Sequence, residues 1–241
     1  MKKLFFLFVF FVIVLLTACQ EDVATLKEGI DGAFPTTNSM EKNNDNTGTN
    51  VRKELSLELK RPNQEPFHIV IEDKLPILMS YLKQFEKPEK EINRIRSSYL
   101  LTNNKKDYFL VSYSCGSKQC DQLLLEYNQE EIQSFHVSEA SFYQDSIYDN
   151  NYLTFLFGRN EGSEVLRNQV VTFNLEEFQK IQPPEDLTAL ETFEYPIPSI
   201  EWSDGTLIVT IADLENTTYE NIKKWYENKK LPIQLLKWNF Q

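Results

Sequence analysis

Cys115 and Cys120 are the pair whose residue types and spacing best suit covalent chemistry; they flank Gly116-Ser117-Lys118-Gln119 between two strand-like runs. Paired as a hairpin, with the cysteines opposite one another, their Cα atoms come within about 4.5 Å, inside disulfide range. Closing so small a loop contributes roughly 2 kcal/mol in the chain-entropy model. A disulfide between Cys115 and Cys120 is therefore expected, with a redox pair and half of a metal site as rival readings. Thioredoxin-type redox motifs keep two residues between the cysteines at a helix start, whereas four stand here in a turn. A structural zinc site needs four nitrogen or sulfur ligands, and apart from Cys19 the chain offers just these two cysteines with His68 and His136.

The remaining polar residues lack signature spacing. His68 in Phe67-His68-Ile69-Val70-Ile71 and His136 in Phe135-His136-Val137 both fall on the polar faces of strands. Asp145, Asp149, Asn150 and Asn151 carry oxygen ligands, yet the twelve-residue calcium loop with its central Gly and final Glu is missing, so a solvated loop is expected. A Gly-x-Ser-x-Gly elbow is lacking, and seven glycines leave no phosphate-cradling loop. No catalytic residue, metal ligand or cofactor is assigned. Phe142, Tyr143, Tyr148, Tyr152 and Trp202 have strand spacing; they build core, or alternatively floor a groove for a peptide or glycan.

The elements that position these residues read mostly as strands. Apolar residues alternate at Leu55, Leu57 and Leu59, at Phe109, Val111 and Tyr113, at Leu123, Leu125 and Tyr127, and at Leu207, Val209 and Ile211. Asp204-Gly205 suits the tight primed turn of a hairpin, which needs positive φ. One helix is expected from Asp73 to Phe85, with Leu78, Leu82 and Phe85 on one face and Pro76 in its first turn. Another follows Thr217-Thr218-Tyr219-Glu220, read as a capping box, and Pro232 stops it before a last strand, Ile233 to Phe240. The fold class is α+β, predominantly antiparallel β with a few helices. A small β-propeller-like repeat fold is the alternative, because Tyr127 to Gln133 is echoed by Phe173 to Gln179 at an offset near blade length.

At the start of the chain, Lys2 and Lys3 precede an apolar run from Leu4 to Leu16, followed by Thr17, Ala18 and Cys19. As a helix that run reaches roughly 20 Å, short of a hydrocarbon core of about 30 Å. A basic start, a short apolar stretch and small residues form the three parts of a secretory signal. Leu16-Thr17-Ala18-Cys19 resembles the lipobox of bacterial lipoproteins. That resemblance implies diacylglyceryl transfer to the Cys19 thiol, cleavage just before it, and Cys19 as the mature N-terminus. Residues 1–18 are then a cleaved signal peptide, 19–50 a lipidated N-terminus and flexible tether rich in Asn, and 51–241 a single extracytoplasmic β-rich domain. Two acyl chains hold a protein stably where one does not.

Composition narrows the partners. With 25 basic against 36 acidic side chains the net charge is −11, which argues against nucleic acid. Cleavage leaves 23 basic against 36 acidic, a surface that anionic headgroups repel, so membrane contact is expected through the lipid. The expected function is a lipid-anchored, non-catalytic binding or interaction module of the cell envelope, with a protein, peptide or glycan as partner. An extracytoplasmic hydrolase with dispersed residues and a structural subunit of an envelope complex are the alternatives.

Overall fold

The computed structural model describes residues 54–129 and 131–240. The expected leader, Cys19 and the tether to Asn50 lie outside the described residues. β1 (Ser56–Leu59) and β2 (Phe67–Val70) form an antiparallel hairpin, followed by α1 (Pro76–Leu82) and a helical turn at Pro88–Glu91. A seven-stranded antiparallel meander comes next, its spatial order equal to its chain order: β3 (Arg96–Asn103), β4 (Lys106–Tyr113), β5 (Cys120–Asn128), β6 (Glu131–Asp149), β7 (Tyr152–Glu161), β8 (Val165–Asn174) and β9 (Gln179–Ile181). A 3₁₀ segment at Glu185–Glu191 leads to a second sheet of β10 (Ser199–Ser203), β11 (Thr206–Ala212) and β12 (Ile233–Asn239), with α2 (Tyr219–Glu227) between the last two strands. The class is α+β and mainly antiparallel β.

Short turns produce this order, since antiparallel neighbours need only two linking residues. Asp204-Gly205 takes positive φ at both positions, 49° and 72°, and closes Ser203 against Thr206 as its sequence demands. Asn104-Lys105 does the same at 49° and 66° without glycine, closing Asn103 against Lys106.

β6 divides the long meander. Its N-terminal half pairs with β5 as far as Ser141, and from Phe142 onward it pairs with β7. Just before the changeover Ala140 sits at φ 47°, where the register with β5 shifts. The bend lets the β3–β5 half lie face to face on the β7–β9 half. Tyr108, Leu110 and Leu124 from one side meet Leu153, Phe155, Phe157, Val171 and Phe173 from the other. The opposite face of β4 and β5 buries Phe109, Val111, Leu123 and Leu125 under β1, β2 and α1. The opposite face of β7 and β8 buries Leu156 and Val170 under the 3₁₀ segment and the β10–β12 sheet. Four layers thus enclose three cores.

Both faces of the central strands are therefore buried, which explains apolar runs with no period of two, such as Leu123-Leu124-Leu125. The layers form an open stack held by a shared strand, not the separate blades of the propeller-like alternative. The echoed segments do occupy matching places: Asp107 pairs with Tyr127, and 46 residues later Leu153 pairs with Phe173. Their turns differ, because Asn128 faces Glu131 across two residues while Asn174 faces Gln179 across four.

The helices correct two expectations. α1 begins at Pro76 with Leu75 as its cap and no side-chain cap bond, so Asp73 does not start it. It ends at Leu82, leaving Phe85 beyond the helix and 36% exposed. α2 starts where expected, but Thr218 makes no cap bond to the helix. Its hydroxyl donates instead to Asn216 Oδ1 at 2.8 Å, and the same oxygen accepts from the Thr218 N–H at 3.2 Å and Asn221 Nδ2 at 2.7 Å. An Asn side chain two residues earlier shapes this turn, as Asx turns do.

Candidate functional site

Cys115 and Cys120 are disulfide-bonded, with Cα atoms 4.0 Å apart, and close the β4–β5 loop. Gly116 N donates to Gln119 O at 2.8 Å inside the loop, and Arg94 Nη2 donates to Cys115 O at 2.8 Å from outside. Arg94 also pairs with Glu91 at 3.0 Å, and Glu91 accepts from the Tyr81 hydroxyl. Burial, reinforced by the Glu91 carboxylate, pushes Tyr81 up to about 12. The loop closed by the cross-link is thus joined to α1 and the Pro88 turn through one polar chain, Cys115 O to Arg94 to Glu91 to Tyr81.

His68 lies on the exposed face of β2 with its Nε2 3.8 Å from Glu58 Oε2, and the two side chains are 59% and 61% exposed. They border a cleft of about 930 Å³ between β1 and β3. His136 is exposed on β6, its ring 6.4 Å from that of Tyr113. Asp145, Asp149 and Asn150 stay at the surface, and Asn151 bridges Asn103 Nδ2 and Glu176 at 3.2 and 3.1 Å. Among the described residues no group of three or more His, Cys, Asp or Glu is placed to hold a metal ion.

The five aromatics disperse. Tyr152 stacks on Trp202 with centroids 5.9 Å apart, and Phe240 joins both at 4.8 and 4.7 Å, packing against the third core. Phe142 lies over Gly158, where a Cβ would come within 2.5 Å of the ring. Tyr143 and Tyr148 are 40% and 42% exposed. Core building thus claims Tyr152 and Trp202, and no common groove collects all five.

Buried charge is consumed in holding the layers together. Glu126, 3% exposed, accepts from Tyr108 Oη at 2.9 Å and pairs with Lys106 at 3.0 Å, while Tyr108 also reaches Leu175 O at 3.1 Å. Burial first and Glu126 second drive the Tyr108 pKa far upward. Asp107, 6% exposed, accepts from Arg61 Nε at 2.6 Å and Thr102 Oγ1 at 2.5 Å, and Arg61 lies 4.8 Å over the Phe67 ring. Buried ion pairs of this kind, each with further hydrogen bonds, join neighbouring elements.

The segment that differs from the rest runs from the end of α2 into β12. Of eight exposed large hydrophobic side chains among the described residues, four fall within ten residues: Tyr226 on α2, Leu231 in the turn, and Ile233 and Leu235 on β12, the last two 52% and 58% exposed. β12 is the edge of its sheet. Phe240 N donates to Gly205 O and Asp213 N donates to Pro232 O, each at 3.0 Å. In antiparallel pairing backbone groups alternate sides, so Gln234, Leu236 and Trp238 turn theirs toward β11. Ile233, Leu235, Lys237 and Asn239 turn theirs outward. Sequence reading placed this strand and missed its exposure; the signal was Ile233-Gln234-Leu235 following Lys229-Lys230, an apolar strand entered from a charged turn. No family model matches the chain, and no curated protein or solved structure matches it either.

Proposed function

We propose that this chain is a lipid-anchored protein of the cell envelope whose β domain serves as a non-catalytic interaction module. The anchoring part rests on Leu16-Thr17-Ala18-Cys19 behind a short apolar run. The interaction part is carried by one observation, the exposed aliphatic pair Ile233 and Leu235 on β12, the strand at one edge of its sheet among the described residues. An edge strand with exposed apolar side chains invites pairing with another chain. The same patch favours, as a second reading, a permanent subunit of an envelope complex, which differs in the lifetime of the contact.

Membrane fractionation of cells carrying the native chain or Cys19→Ala, followed by chemical cross-linking, tests this proposal. The native chain is expected in the membrane fraction with a cross-linked partner through residues 226–239. A Cys19→Ala chain that fractionates identically contradicts the anchor. Turnover of a wall fragment without any stable partner contradicts the interaction role.

A further inference from the structure

We infer that the outer edge of β12 receives an extended, acidic peptide segment, which adds as a fourth strand to the β10–β12 sheet. This deepens the interaction reading above and rests on it. Strand addition needs a row of outward backbone donors and acceptors, and Ile233, Leu235, Lys237 and Asn239 supply one. It also needs side chains that reward alternate positions of the incoming strand. Leu236 and Trp238 turn inward to the third core, so Ile233, Leu235 and Lys237 share the outer face. An antiparallel strand would therefore meet two apolar side chains followed by a cation.

Charge selects the class of partner. Between Lys223 and Phe240 the chain has five lysines and one acid, Glu227, within a molecule of net charge −11. Lys223 is engaged by Glu164 at 2.8 Å. Lys224, Lys229, Lys230 and Lys237 are exposed and form no ion pair among the described residues. A second copy of this chain pairing two-fold through β12 would bring Lys237 of each copy toward the lysines entering the other strand. Like charges along one seam destabilise a sheet pair, whereas acidic residues at those positions meet the cations. A lysine on an edge normally deters pairing; here it sits beside two exposed aliphatic residues and sets which partner is admitted.

The probe is a capped seven-residue peptide alternating threonine with, in order, glutamate, valine, valine and glutamate, added to the full chain in detergent. A version with lysine for glutamate is the control. Amide hydrogen exchange resolved to single residues provides the readout. In the chain alone Gln234, Leu236 and Trp238 are expected to be protected and Ile233, Leu235 and Lys237 to exchange freely. The acidic peptide should protect the second group, with an effect that weakens as salt rises, and the lysine control should not. Leu235→Pro removes one outward donor while sparing the bonds to β11, and should weaken binding by up to about tenfold. Should that variant fail to keep Gln234 and Leu236 protected, the pair Lys230→Glu and Lys237→Glu carries the test and should abolish the preference for the acidic peptide.

Absence of protection at Ile233, Leu235 and Lys237 with millimolar acidic peptide overturns the inference. So does their protection in the chain alone, or protection that appears with protein concentration and a doubled mass, because the edge is then already taken. Acylation of Cys19 is read separately by mass: an acylated chain with an inert edge loses this inference and keeps its anchor, and a bare chain that binds the peptide does the reverse.

Discussion

Tyr108 links three elements with one hydroxyl, donating toward Glu126 of β5 and lying 3.1 Å from the carbonyl of Leu175 after β8. Tyr108→Phe leaves the Glu126 carboxylate short of a donor in a buried site, and should cost about 1–3 kcal/mol in urea unfolding. At Gly158 the constraint is space: an added Cβ meets the Phe142 ring at 2.5 Å. Gly158→Ala should lower stability by about 1–3 kcal/mol, and adding Phe142→Leu should recover part of it, a coupling that a double-mutant cycle measures. The cysteines make a third residue-level statement. The native chain should weigh about two daltons less than its reduced form, and Cys115→Ser should lose roughly 2 kcal/mol.

Among the elements, β6 and α2 set the sharpest expectations. β6 passes from one half of the meander to the other through Ala140, whose φ of 47° is costly for a side chain with a Cβ. Ala140→Gly should stabilise by up to about 1 kcal/mol and Ala140→Val should destabilise by more than that, since branching at Cβ worsens the clash. At the start of α2 the organising group is Asn216, not the Thr218 hydroxyl. Asn216→Ala should therefore cost about 1 kcal/mol and Thr218→Ala distinctly less, the reverse of what a capping box predicts. These two elements also show what the sequence made legible. The start of α2, the Asp204-Gly205 turn and the cysteine hairpin follow from local chemistry, in which neighbours along the chain satisfy each other. Ala140 and Asn104-Lys105 carry no glycine signal, and the bend and turn they make come from the surrounding layers.

The stack itself was hidden for the same physical reason. Alternation marks a strand with one wet face, and it picked out Phe109, Val111, Leu123 and Leu125, all buried. It says nothing of Leu110 and Leu124 on the opposite face, because covering both faces erases the period. Aromatic spacing likewise foretold packing for Tyr152 and Trp202 and could not foretell that Phe240, at the far end of the chain, would complete their cluster.

The layered core has a consequence for pH. Burial raises Tyr108, and burial with Asp121 and Glu139 raises Tyr113 to about 12, as burial with Glu91 raises Tyr81 to about 12. In the unfolded chain these groups ionise near pH 10. Below that both states hold the proton, and above it the unfolded state loses its protons first. Their contribution is thus fully present through neutral pH and falls as pH rises from about 10 through 12. Urea midpoints across pH 7 to 12, read beside tyrosinate absorbance, check this.

For the whole molecule, the claim on which its role depends is that a folded, acidic β domain is fixed to a membrane by its N-terminal sulfur. The most direct measurement is the mass of the N-terminal peptide of protein extracted from membranes. A peptide that begins at Cys19 and carries a diacylglyceryl group is expected; a peptide that begins at Met1, or a bare Cys19 thiol, contradicts the anchor.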